Sequence, residues 1–163
     1  MTTQSERRDM IAKIRKVADQ LEQAVRGLSD EQLDTPYGEG KWTPRQVVHH
    51  MADSHLHAFI RFKAILTEDH PTLKVYDQDD WANTPDANMA PPADSIAIVR
   101  GLHERWCFLM EHLSEGEWGR KGFHPERGEV SLDNLLKIYV NHGANHAGQI
   151  LGLRKARGWQ VPD

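Results

Sequence analysis

The chain is short of several features that usually point to what a small protein does. Among 163 residues there is one cysteine, Cys107, which excludes an internal disulfide framework and any cysteine-built zinc cluster. Beside Trp106 in a helical pattern, that thiol reads as a small buried hydrophobe. No apolar run reaches signal-peptide or membrane-spanning length, and the first residues lead straight into an amphipathic pattern. A cytoplasmic location without a membrane partner is expected. Neither sign of charge dominates: 20 basic and 24 acidic residues are interspersed, the net charge is −4, and no basic patch points to nucleic acid. Internal repeats and low-complexity segments are also lacking. Residues 1–163 are most simply one domain, long enough for a single sizeable core.

What the chain does have is histidine, ten in all. Two of them stand four residues apart in Tyr139-Val140-Asn141-His142-Gly143-Ala144-Asn145-His146, inside a stretch that otherwise reads as the apolar stripe of a helix. At about 3.6 residues per turn, Leu135, Tyr139, His142, His146, Ile150 and Leu153 share one face, so imidazoles stand where a core helix would want Leu or Val. Two readings are open. The rings are core histidines hydrogen-bonded to backbone or water, or they bind a metal through one nitrogen while the other donates to a neighbouring acceptor.

The hydrophobic pattern predicts four long helices and one long loop, hence an all-α four-helix bundle. The first helix runs from about Ser5 to Leu28. Ser29-Asp30-Glu31-Gln32 has the residues of a capping box, and Thr35-Pro36-Tyr37-Gly38-Glu39-Gly40 breaks the chain. Thr43-Pro44-Arg45-Gln46 starts a second helix that should end near Leu66, with Thr as N-cap, Pro in the first turn and Gln closing the box. From Glu68 to Ala93 a polar segment with four prolines forms a crossover loop between helices 2 and 3, of a length usually reserved for functional lids. A third helix begins at Asp94 or Ser95. Gly116 to Val130 reads as a turn or short hairpin, Ser131 caps the fourth helix, and Gly158 and Pro162 help to end it.

In a bundle, a third ligand should come from a facing helix. At about 100° per residue, the second helix places His55 inside its apolar arc, His50 at the edge beside Ser54 and Arg61, and His49 on the opposite, solvated face. Helix phase leaves both His50 and His55 open. His57 reads as a surface residue, and His70, His103, His112 and His124, without partners at ligand spacing, read as surface or turn residues.

The block from Lys41-Trp42-Thr43-Pro44 through His49-His50-Met51-Ala52-Asp53-Ser54-His55, followed by Arg61-Phe62-Lys63-Ala64 and Thr67-Glu68, resembles the YfiT-like branch of the DinB-like metalloenzyme superfamily. Asp34-Thr35-Pro36-Tyr37 and Tyr76-Asp77 with Trp81-Ala82 are similar to it as well, and the likeness spans about Arg26 to Leu153. The resemblance implies a DinB-type four-helix bundle that holds a divalent metal, zinc or nickel, through three histidines. The ligand in the second helix precedes a Leu-Ala-Asp-like tripeptide, here Met51-Ala52-Asp53, which selects His50. The pair in the last helix maps to His142 and His146. Where relatives often have a histidine-rich run, this chain has Asn145 and Gln149.

Three neutral imidazoles leave an ion its full charge and an open coordination position, as in catalytic zinc. The interval from His142 to His146 lacks the Glu of His-Glu-x-x-His, which argues against a metalloprotease. The resemblance therefore implies a transferase that activates a low-molecular-weight thiol, such as bacillithiol, toward a small electrophile. The alternatives are a metal-dependent hydrolase of a small amide or ester and a non-catalytic metal-binding stress-response protein. Arg61 is the candidate to bind a carboxylate of the thiol co-substrate, Asp53 to orient a ligand imidazole, and the Glu68 to Ala93 loop, with Tyr76 and Trp81, to shape the pocket. The expected partner is a small molecule, and a homodimer is a candidate assembly.

Overall fold

The computed structural model describes residues 2–161; Pro162, expected to help end the last helix, lies outside the described residues. Four helical rods carry the architecture. The first is a pair, α1 (Gln4–Arg15) and α2 (Val17–Val25), and the others are α4 (Pro44–Thr67), α7 (Pro92–Glu111) and α9 (Leu132–Arg157). Short elements fill the connections: α3 (Asp30–Leu33), α5 (Gln78–Ala82), α6 (Pro85–Met89), α8 (Glu115–Trp118), and a hairpin of β1 (Lys121–His124) and β2 (Gly128–Ser131).

The ends of the rods are set by local chemistry. Thr43 and Gln46 form the capping box of α4, and Ser29 with Gln32 and Ser131 with Asn134 do the same for α3 and α9. Each pair satisfies backbone donors that a first turn leaves without partners. Gly158 ends α9 in the left-handed region, at φ 68°, a conformation that costs glycine nothing.

The rods are not joined in simple up-and-down order. The α1–α2 rod and α4 each pack against both α7 and α9, so consecutive rods α1–α2 and α4 are diagonal to one another, as are α7 and α9. The linker holding α3 and the segment holding α8 and the hairpin each make a diagonal crossing. Antiparallel pairing of β1 with β2 stiffens the second crossing, in the register Lys121 to Ser131 through His124 to Gly128. A parallel bridge from Phe123 to Thr72 then ties the hairpin to the chain leaving α4: Leu73 N–H donates to the Phe123 carbonyl at 2.8 Å, and Phe123 N–H to that of Pro71 at 2.9 Å.

Three expectations are corrected here. The first helix is broken at Lys16, whose N–H bonds the Lys13 carbonyl in a tightened turn. The break lies where the next residue, Val17, meets α9 at Gly143, so closely that a Cβ there would stand 2.6 Å from a Val17 methyl. The third rod starts at Pro92, two residues before Asp94, because Pro91 and Pro92 hold φ near the helical value and need no side-chain cap. The segment from Glu68 to Ala93 is no bare loop. It folds α5 and α6 onto one side of α4, with Gln46 donating to the Ala82 carbonyl at 2.9 Å and Arg45 to that of Ala90 at 3.0 Å.

Two apolar clusters make the core. One gathers Ile11, Ile14, Phe62, Ile65, Trp106, Met110, Leu132, Leu136 and Tyr139, and the other Val17, Leu21, Val47, Met51, Val99, Ala147 and Ile150. Between them lies a layer of imidazoles. The close approach at Gly143 sets the α2–α9 spacing beside that layer. Gly143→Ala should therefore lower stability by about 1–3 kcal/mol, overpacking outweighing the gain of up to about 1 kcal/mol in helix propensity. Val17→Ala in the same chain should recover part of the loss; a Gly143→Ala variant with an unchanged or raised urea midpoint would show that the helices have room to separate.

Candidate metal centre

Rods α4 and α9 bring His50, His142 and His146 together. The Nε2 atoms of His50 and His142 are 3.2 Å apart, those of His142 and His146 are 3.1 Å apart, and one nitrogen from each ring lies within 4.8 Å of the other two. At the zinc–nitrogen distance of about 2.0–2.1 Å, tetrahedral ligand nitrogens stand roughly 3.3 Å apart, so the spacing fits an ion between the rings. His50 is buried and the two α9 rings are half-buried. Trp42 covers one side, its ring centroid 4.6 Å from that of His50.

The environment keeps the rings neutral, as ligation requires. Burial, followed by the neighbouring imidazoles, pushes His50 and His142 down to about 3, and burial lowers His146 as well. Gln149 Oε1 lies 2.8 Å from His146 Nδ1 and must accept its proton, which leaves His146 Nε2 a lone pair facing the other rings. The glutamine that departs from the histidine-rich pattern thus orients one of the three imidazoles.

The phase ambiguity on α4 resolves by depth. His50 reaches the cluster, whereas His55 is fully buried behind it, Nε2 at 3.2 Å from His142 Nδ1 and Nδ1 at 2.7 Å from His103 Nε2. His103, expected at the surface, is 1% exposed in this layer. Its partner is 48 residues away on another rod, a pairing that no local spacing could reveal. His49, expected to be solvated, is also buried. The α5–α6 segment covers that face of α4, and His49 bonds Ser95 Oγ at 2.7 Å and the Ala90 carbonyl at 3.0 Å. His70 and His112 are exposed as expected.

A cavity of about 380 Å³ opens beside the triad, with His50, His142, Ser54, Arg61, Tyr76 and Tyr139 among its lining residues. His124, expected in an exposed turn, is buried at the end of β1 and also lines it, because the bridge to Thr72 draws the hairpin over the bundle end. The lid supplies Tyr76, stacked on His57 at a centroid distance of 4.2 Å. Trp81 packs edge-on to His57 and against Tyr76 but stays 42% exposed, outside the cavity and off the core. Arg61 is largely committed to structure, donating Nε–H and Nη2–H to the Lys74 carbonyl and Nη1–H to Tyr139 Oη. That leaves one N–H on each terminal nitrogen. Asp53 makes no hydrogen bond to an imidazole. It is half-buried, and burial together with nearby Asp86 raises it to about 6.

Comparison with known proteins decides the family. The DinB superfamily model matches residues 13–150. The chain belongs to the YfiT-like branch of the DinB superfamily. It is 42% identical to YfiT of Bacillus subtilis over 147 residues, covering 90% of this chain and 83% of that one. It is 44% identical over 154 residues to a relative from Geobacillus thermodenitrificans, covering 93% and 86%. Both relatives carry provisional names as metal-dependent hydrolases. The solved structure of the Bacillus subtilis protein, said to have an unusual four-helix bundle topology, superposes with a TM-score of 0.96 and 38% identity, covering 98% of this chain and 92% of that one. The diagonal order of the rods in this DinB protein accords with that description.

The buried rings give stability a pH dependence. Above the ordinary imidazole value of 6.5 they are neutral whether the chain is folded or not; below it the unfolded chain binds protons that the folded one refuses, His50 and His142 down to about 3 and His103 to about 4. The metal-free protein should lose about 1.4 kcal/mol per pH unit for each such ring between these limits. Urea midpoints measured from pH 8 to pH 5 should fall steeply below pH 6.5, and a flat profile would contradict a neutral, buried layer.

Proposed function

We propose that His50, His142 and His146 hold a divalent metal, zinc or nickel, and that the protein is a transferase joining a low-molecular-weight thiol to a small electrophile in the adjoining cavity. The observation that carries this reading is the convergence of three imidazole nitrogens, two of them on rings that line a cavity large enough for such a molecule. When bound, the ion supplies a positive charge that drives deprotonation of a coordinating water or thiol.

The protein's own groups favour the thiol. The hydrogen-bond partners of the triad rings are imidazole and amide, namely the other rings, His55 and Gln149, and among the described residues no carboxylate is hydrogen-bonded to them to serve as general base. A free aliphatic thiol, with a pKa near 8.5, is only a few per cent ionised at pH 7, so coordination alone supplies most of the activation it needs. Arg61 and Tyr139 line the cavity; the remaining N–H groups of Arg61 would bind a carboxylate of the co-substrate, and Tyr139 Oη accepts from Arg61, which leaves its proton for a substrate oxygen. Tyr76 and the first residues of α5, Gln78 and Asp79, form one side of the cavity. Hydrolysis of a small ester or amide is the second reading, favoured by the provisional names of the relatives and by the acidic side chains of Asp77 and Glu126 on the cavity wall.

Elemental analysis tests the ligand set. His142→Ala and His146→Ala should each abolish tight stoichiometric metal binding while the circular dichroism spectrum stays helical. His50→Ala should weaken binding heavily, whereas His49→Ala should leave affinity nearly intact and lower stability by about 1–3 kcal/mol, since Ser95 Oγ would lose its buried partner. About one tight metal per chain in either α9 variant would refute the ligand assignment.

Turnover separates the two chemistries. The metal-loaded protein should consume monochlorobimane or a haloalkane only when a suitable thiol is present and should stop when the metal is removed. Failure with bacillithiol, mycothiol, glutathione, cysteine and coenzyme A, alongside metal-dependent hydrolysis of a test ester or amide, would replace the transferase with the hydrolase.

A further inference from the structure

His55 and His103 belong to no ligand set, yet they extend the triad into the core as a line of rings, His142 to His55 to His103, through contacts of 3.2 and 2.7 Å. His55 is 0% and His103 1% exposed, and along this line they meet only imidazoles, with no counter-ion for a second proton, so each carries a single one. A contact between two ring nitrogens holds one proton, donated by one and accepted by the other. Three neutral rings joined by two such contacts therefore have just two self-consistent proton orders, and fixing the proton on one ring fixes all three.

In the first order the protons point toward the triad. His103 Nε2–H donates to His55 Nδ1, His55 Nε2–H donates to His142 Nδ1, and His142 Nε2–H donates to the lone pair that Gln149 imposes on His146 Nε2, 3.1 Å away. His103 Nδ1, a buried atom that makes no close hydrogen bond, is then a lone pair. In the second order every proton is reversed. His142 Nδ1–H donates to His55, His55 Nδ1–H donates to His103, and His103 carries its proton on Nδ1, on the side of the Ile14 backbone. The second order alone leaves His142 Nε2 free to bind a cation.

We propose that His55 and His103 are positioning residues for the metal centre, and that metal binding at His142 reverses the tautomers of all three rings, so that the ion's presence is written on His103 in the core. The inference rests on the metal reading given above. Its chemistry is an exchange of tautomers within neutral rings. No net proton is gained along the line, and the one displaced from His142 Nε2 moves to His142 Nδ1 as those on His55 and His103 shift likewise. Neighbours of this kind fix the orientation of a ligand imidazole and raise its basicity, an effect usually worth about 10- to 100-fold in metal affinity.

The decisive measurement is imidazole ¹⁵N NMR on the wild-type chain, with and without one equivalent of zinc. His103 should change from the Nε2–H to the Nδ1–H form on zinc addition, and His55 should change with it. His55→Phe should uncouple His103 from zinc and weaken zinc binding about 10- to 100-fold in a chelator competition. His55→Gln, whose amide can accept from His142 and donate to His103, should restore most of the affinity. Tight stoichiometric zinc binding with an unchanged His103 spectrum would overturn the relay and leave the metal centre standing. Absence of zinc binding would overturn both. The wild-type spectrum decides the question even if His55→Phe fails to fold.

Discussion

A buried imidazole has two nitrogens, and both need partners of defined sense; that requirement organises the middle of this protein. Five rings from three rods lie between two apolar clusters, and the hydrophobic effect brings the rods together on either side of them. An apolar layer at the same height would satisfy packing in many rotamers. A layer of imidazoles is satisfied only when each donor meets an acceptor, so it fixes rotation and height of α4, α7 and α9 relative to one another. Charging a buried ring of this layer would place an ion in the core, and for this reason burial holds these rings neutral.

The chain path serves the same layer. Because consecutive rods lie diagonally, α4 and α9 become direct neighbours although the whole of α7 separates them in sequence. The triad needs that neighbourhood. The price is two long crossings, and both are put to use: the linker holding α3 ends in Trp42, which covers His50, and the hairpin carries His124 to the cavity and ties down the chain leaving α4 through its bridge to Thr72.

What the sequence shows follows the range of the interactions. The four rods, three of the four N-terminal boundaries and the His142–His146 pair were legible because capping and helical periodicity act over three or four residues. His50 and His55 were inseparable by helix phase because both face the interior, one at its edge and one at its centre. His49 was misplaced because a helical wheel does not know that α5 and α6 dock on the outer face of α4. His103 and His124 were invisible for the same reason, their surroundings coming from distant segments. The break at Lys16 belongs with them, since it accompanies a contact with Gly143 that only the folded chain makes. The departures at Asn145 and Gln149 divide in the structure: Gln149 orients His146, while Asn145 stands exposed beside it.

The imidazoles stand on rods, whereas much of the remaining cavity wall, residues 75–79 and 124–127, stands on connections. The backbone bridge that ties the hairpin down joins Thr72 to Phe123, outside both stretches, so their exposed residues can be exchanged with little effect on helix packing. A library confined to them would vary the shape and charge of the chamber while holding the ring nitrogens in place. On the function proposed above, the fold separates the part that would confer reactivity from the part that would choose what reacts, and each is open to redesign without the other.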